Sequence, residues 1–395
     1  MANSGAGGSN YTGFRFYGGQ LFPIPGSTAS LAANAAPGDV LFNGTGTKLA
    51  GTEVGPSRID SFTVGFDGRL TPAPGSPFKA QGLGPFGSEF RPTDPNQLFV
   101  SNAHNTAADS GTISAFTDSR NGTLTPVAGS PFADDQMAPC WVEITRDGRF
   151  LFTVNIASGT ISRFRIARDG TLTLLGSTPV AATGAVGAVD ARLSPDGRFL
   201  YVDESKTGSV GIFTVGLDGR LTAAPGSPFP AQGLGPFGSE FRPTNPNQLF
   251  VSNAHNTAPD SGTVSAFKDH RDGRLSPVNG SPFADDQMAP CWVEITHDGQ
   301  FLFTVNTASG SVSSYQIAPD GALTLLGSTP ISGTKVGAVD ARLSPDGGFL
   351  YVDESATGKV AAFAVSGGSL TELGTSPFPL PAGAAPAGIV VSQFS

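Results

Sequence analysis

The segment DDQMAPCWVEIT runs from Asp134 to Thr145 and recurs unchanged from Asp285 to Thr296. It is one part of a longer echo. GLGPFGSEFRPT begins at Gly82 and again at Gly233, SNAHNTA at Ser101 and Ser252, and GAVDARLSPDG at Gly187 and Gly337. A unit of roughly 150 residues is therefore present twice, about 61–211 and 212–362, and self-similarity at fixed period is the signature of a repeat architecture. Inside the unit runs a shorter beat: an apolar strand, a DG or PN turn, RFLYV or QLFVSN, a polar loop, GTVSAF, another DG or NG turn, then an L-T-P strand entering GSPF. Short strands separated by turn signals read as a four-stranded antiparallel meander, and four strands in about 50 residues make one propeller blade.

Labelling strands a to d from the axis outward, innermost strands begin near Asp39, Pro85, Pro139, Ala188, Pro236, Pro290, Ala338 and Ala387. Outermost strands, from QLFPIPG to SLTELG, also number eight. The expected fold is an all-β propeller of eight four-stranded blades, with seven as the alternative, forming one domain over 1–395. The last blade is split: PAGIVVSQ supplies strand a, YTGFRFY and QLFPIPG supply c and d, and strand b is cut to a stub before NSGAGG. A ring closed by both termini removes two free sheet edges. Composition agrees, with Gly 53, Pro 32 and Phe 29 against 14% charged residues, the profile of a turn-dense β chain.

The net charge of -9 sets the chain against nucleic acid and anionic membrane, which would repel it. No apolar run is long enough to span a bilayer as a helix, and MANSGAGGSNYTGF carries no secretory signal, although a precursor could have lost one. The expected partner is a small molecule and the expected state a monomer. Cys140 and Cys291 occupy equivalent points of the ring, too far apart to bridge, and are read as free, shielded thiols.

SPDGRFLYVDESKTGSVGIFTVGLDGRLTAAPGSPF and APCWVEITRDGRFLFTVNIASGTISRFRI resemble the lactonase-type β-propellers, the family of bacterial 6-phosphogluconolactonase and fungal 3-carboxy-cis,cis-muconate lactonising enzyme. The resemblance covers nearly the whole chain and implies a propeller that hydrolyses or forms a small lactone. Family members typically have seven blades, and their catalytic members carry His and Arg near the starts of inner strands. The matching starts here read GPFGSEF, APCWVEI and GAVDARL, without histidine.

The residues themselves suggest where chemistry would sit. In this topology the d-to-a and b-to-c loops share one face, which gathers Asp134, Asp285, the YVDES acids Asp203, Glu204, Asp353 and Glu354, and His104 and His255. On the inner strands, alternation pairs Glu89 with Arg91, Asp190 with Arg192, and Trp141 with Glu143 on one side each. The first two acids have a cation in their own strand within about 7 Å; Glu143 and its copy Glu294 have none. A carboxylate near the axis without a local cation must borrow one from a neighbouring blade, hold a proton, or contact a ligand. Glu143 and Glu294 are thus the candidate catalytic residues, with Arg91, Arg192, Arg242, Arg342, Trp141, Trp292, His104, His255, Asp134 and Asp285 as candidate substrate contacts. Equivalent blades lie three apart one way round and five the other, so the two glutamates should meet different arginine pairings. No metal or cofactor motif is present: GxSxG, HExxH, CxxC and a phosphate loop are all missing. Two readings follow, a lactone hydrolase or cycloisomerase working at the channel mouth, and a non-catalytic binding or scaffold ring using its acidic face.

Overall fold

The computed structural model describes residues 1–5, 8–103, 107, 109–180, 187–254, 258, 260–333 and 336–391. Among these every regular element is a strand, and eight antiparallel blades follow one another around a ring. Their inner strands are Pro37–Phe42, Pro85–Arg91, Pro139–Ile144, Ala188–Leu193, Pro236–Arg242, Pro290–Ile295, Ala338–Leu343 and Ala385–Gly388; the blades are numbered 1 to 8 in that order. The expected blade number holds.

Turn chemistry sets the meander. In blade 3, Asp147 accepts from the Arg149 N–H at 3.1 Å and from the Thr145 hydroxyl at 2.7 Å, while Gly148 takes a φ of 66° that a side chain would resist. The core lies between blades. Phe152, Val154 and Ile161 of blade 3 pack on Ala191, Leu200, Val202 and Phe213 of blade 4, and the same interlock joins Phe99 and Ile113 of blade 2 to Val142, Leu151 and Phe164 of blade 3. Each large apolar side chain so buried contributes about 1.5–3 kcal/mol, and bonds such as Ser101 Oγ to the Cys140 carbonyl at 2.8 Å cross the same gaps.

Blade 8 departs from expectation. Its strands are Ala385–Gly388, Ala2–Ser4, Asn10–Tyr11 and Ala29–Ser30, so a short strand b is present and Asn10–Tyr11 is strand c. The segments expected as c and d, Phe14–Tyr17 and Gln20–Pro23, instead pair only with each other. Burial explains the difference: Phe14, Phe16 and Leu21 of this hairpin pack against Tyr351, Val360 and Ala362 of blade 7, while Arg15 donates to the Asp67 carbonyl of blade 1 at 2.6 Å. The hairpin straps the seam instead of extending the sheet. Tyr11 ties the closing blade to blade 1 by donating to Asp60 at 3.4 Å.

Candidate functional site

Seven of the eight inner strands carry an acid toward the axis: Asp39, Glu89, Glu143, Asp190, Glu240, Glu294 and Asp340, all partly accessible. Blade 8 offers none. One level of this ring can be read from the strand register, since Leu41, Glu89, Glu143, Arg192, Glu240, Glu294 and Arg342 each stand opposite the third residue of the aligned second-strand core, Ala50, Phe99, Phe152, Tyr201, Phe250, Phe303 and Tyr351. Going round, the level therefore reads Leu, Glu, Glu, Arg, Glu, Glu, Arg. Two guanidiniums serve four glutamates.

Their choice of partner differs. Arg192 reaches forward to Glu240 of blade 5, Nη1 to Oε2 at 3.0 Å. Arg342 has only the acid-free blade 8 ahead of it and reaches back to Glu294 at 3.2 Å; it also holds Asp340 at 2.8 Å, donates to the Ala341 carbonyl at 2.7 Å, and lies 4.7 Å from the Trp292 ring centroid. Among the described residues Glu89 and Glu143, on adjacent blades, make no ion pair. Glu143 Oε2 accepts from the Leu193 N–H at 3.3 Å. Burial pushes its carboxyl up to about 7, with Asp190 adding to the rise and Arg192, the Leu193 N–H and the Trp141 indole opposing it. Burial pushes Glu89 well above the usual carboxylate range, Glu143 adds to that, and the Ile144 N–H opposes it. Glu89 Oε2 is buried without a hydrogen-bond partner. Glu294 is also pushed up to about 7, because burial and the nearby Glu240 and Asp340 outweigh Arg342. Asp39 accepts from the Ser88 N–H at 2.9 Å and the Ser88 hydroxyl at 2.8 Å, yet burial still raises it.

Several expected site residues lie elsewhere. A bulge between Phe90 and Arg91, repeated between Phe241 and Arg242, breaks the alternation that would have set Arg91 beside Glu89. Arg91 instead donates to Gly148, Gln97 and Ala167 at 2.7, 2.8 and 3.0 Å, on the turn-bearing face. Arg242 makes the equivalent bonds to Gly299, Gln248 and Ala318. Asp134 and Asp285 do not crown a face; they are 1% and 0% exposed and bind the N–H groups of Gln136 and Gln287 at 2.9 and 2.7 Å, burial pushing both up to about 6. Asp203, Glu204, Asp353 and Glu354 are likewise buried. His104 and His255 lie outside the described residues. Trp141 and Trp292 stand on the inner strands beside their glutamates. Cys140 and Cys291 are free and half-buried, with thiols pushed up by burial, which disfavours the thiolate a nucleophile needs. Glu89 escaped the sequence reading because Arg91 seemed to satisfy it; the turn-forming RPTDPN directly after it was the available signal that the strand does not continue regularly.

Among the described residues no group of three or more His, Cys, Asp or Glu side chains is arranged to hold a metal ion. A cleft lined by Asn247, Gln248, Lys268, Asp269 and His270 opens on the turn-bearing face, not over the glutamates.

The sequence matches the family model described as "Lactonase, 7-bladed beta-propeller" over residues 91–178 and 241–392, more than half of the chain. The unmatched stretch between them contains blade 4, and the unmatched residues 1–90 contain blade 1. None of the curated proteins compared matches the sequence. Among solved structures, a putative 6-phosphogluconolactonase from Bacteroides uniformis superposes with a TM-score of 0.60 at 19% identity, covering 82% of this chain and 94% of that one. The periplasmic gluconolactonase PpgL of Pseudomonas aeruginosa gives 0.57 at 20% identity, covering 83% and 95%. Sqt1 from Chaetomium thermophilum gives 0.66 at 16% identity, covering 92% of each chain. Likeness at these identities is likeness of fold.

Proposed function

The chain belongs to the lactonase family of β-propellers, and on that premise we propose that it hydrolyses a small lactone at the axial channel, with Glu143 as the general base. The observation that carries this reading is that among the described residues Glu143 makes no ion pair, whereas its duplicate Glu294 is tied to Arg342. A base must be able to turn to its substrate and must titrate near the working pH; a carboxyl pushed up to about 7 and bonded only weakly meets both needs. Glu143 takes a proton from a water whose oxygen attacks the lactone carbonyl carbon. The acyl C–O bond then breaks, and the leaving ring oxygen takes a proton from Glu89, which burial and the charge of Glu143 keep protonated. Transfer of the proton from Glu143 to Glu89 resets the pair. Two carboxyls whose environments favour opposite protonation states supply the base and the acid.

The test is a lactone-hydrolysis panel on the purified protein. Glu143→Gln should lower kcat/KM by roughly 100-fold or more, with kcat/KM of the parent protein rising through about pH 7 as Glu143 loses its proton. Glu294→Gln should lower it by less than about tenfold, the range of a residue that only positions others. Equal losses would end the assignment. The second reading, a non-catalytic binding ring, draws support from the cleft on the opposite face, and no hydrolysis across the panel would favour it.

A further inference from the structure

We infer that the lactone accepted by this channel is uncharged and hydroxyl-rich, carrying neither phosphate nor carboxylate. This rests on the reading above and names the substrate class for the same site. An anionic group needs a free cation where it docks, and guanidinium is the usual donor because its fork matches carboxylate and phosphate oxygens. Among the described residues the ring has two candidates, and each is already in an ion pair. Arg342 is held by Glu294, Asp340, the Ala341 carbonyl and the Trp292 ring. Arg192 is held by Glu240 through Nη1 at 3.0 Å; its buried Nε has no hydrogen-bond partner, but swinging the guanidinium to a ligand anion would leave Glu240 without its ion pair. Arg91 and Arg242 are turned to carbonyls on the far face by their bulges.

Blades 1 to 3 make the case stronger. They present Asp39, Glu89 and Glu143 with no cation at that level, where blades 4 and 7 have arginine and blades 1 to 3 have Leu41, Glu89 and Glu143, Arg91 being turned to the far face. A phosphate set here would add charge to carboxyls that already retain protons under burial and mutual repulsion. Lactone hydroxyls meet no such obstacle. They donate to carboxyl oxygens, and Glu89 Oε2, buried without a hydrogen-bond partner, can accept such a bond even while the carboxyl is protonated, since a protonated carboxyl keeps acceptor capacity. The substrates for which the two structural neighbours are named, gluconolactone and its 6-phosphate, differ by this one group.

Hydrolysis of glucono-1,5-lactone and of 6-phosphoglucono-1,5-lactone by the full chain decides the matter. The uncharged lactone should be preferred in kcat/KM by about 100-fold, as expected where a substrate brings an unpaired like charge. Glu240→Gln, which frees Arg192, should shrink that preference by about tenfold. Equal or faster turnover of the phosphorylated lactone overturns the inference. If neither lactone is hydrolysed, the functional reading above fails on its own, and binding settles this one. The chain has two tryptophans, both on inner strands beside Glu143 and Glu294, so intrinsic fluorescence reports on the ring. Glucose should perturb it at concentrations at least about tenfold below those needed for glucose 6-phosphate. Tighter or equal binding of the phosphate, or no response to either sugar, counts against the inference.

Discussion

Blades 3 and 6 share the inner strand Pro-Cys-Trp-Val-Glu-Ile, as Pro139–Ile144 and Pro290–Ile295, with the same partner register, and yet their glutamates end in different company. Each precedes a blade that carries arginine, Arg192 or Arg342. What differs is the blade after that. Blade 5 presents Glu240 and draws Arg192 forward, leaving Glu143 alone; blade 8, assembled from both termini, presents no acid, and Arg342 falls back on Glu294. Identical local sequence thus gives a poised carboxyl in one copy and a braced one in the other. The deciding residue lies two blades away.

The comparison can be strained hardest at the arginines. Arg342→Gln strands both Glu294 and Asp340 and removes the stacking on Trp292, so it should lower unfolding free energy by about 3 kcal/mol in urea denaturation. Arg192→Gln breaks one ion pair, that with Glu240, where Arg342→Gln breaks two, and should cost about 1 kcal/mol. A larger loss at Arg192 would reverse the ranking of the two sites.

A smaller effect should make the copies look alike. Glu143 and Glu294 are both pushed up to about 7 in the folded protein, Asp134 and Asp285 both to about 6. Between the ordinary carboxylate range and these values the folded chain holds protons that the unfolded chain has released, so stability falls as pH rises through this window. Each such group loses about 1.4 kcal/mol per pH unit below its folded value, so the loss from pH 5 to pH 8 should be several kcal/mol, and Glu143→Gln and Glu294→Gln should each remove a similar share. A rise in stability over that window would show that burial does not govern these groups. The smallest difference is expected at the thiols: Cys140 and Cys291, half-buried with raised pKa, should react with a disulfide reagent slowly and at nearly equal rates in the native state. Rapid labelling of either would break the equivalence.

Much of this was legible in the sequence. Eight blades, their inner strands and the free cysteines follow from turn spacing and strand pattern, because those are local. So does the expectation that Glu143 and Glu294 differ, since a three-blade repeat in an eight-blade ring cannot be symmetric. What was not legible is non-local or sub-strand in scale. The hairpin Phe14–Tyr17 with Gln20–Pro23 has the pattern of blade strands and was displaced by burial of Phe14 and Phe16 on blade 7. One bulged residue removed Arg91 from Glu89. Asp134 and Asp285 read as loop acids and are buried because they cap their own loops.

The central claim is that one duplicate glutamate is bridged and the other is not, and double-mutant cycles measure this directly. Unfolding free energies for Glu294→Gln, Arg342→Gln and the double variant should give a coupling of about 1–3 kcal/mol, as should the cycle of Glu240 with Arg192. The cycle of Glu143 with Arg192 should give less than about 0.5 kcal/mol. Equal couplings for the Glu143–Arg192 and Glu294–Arg342 cycles would contradict the account.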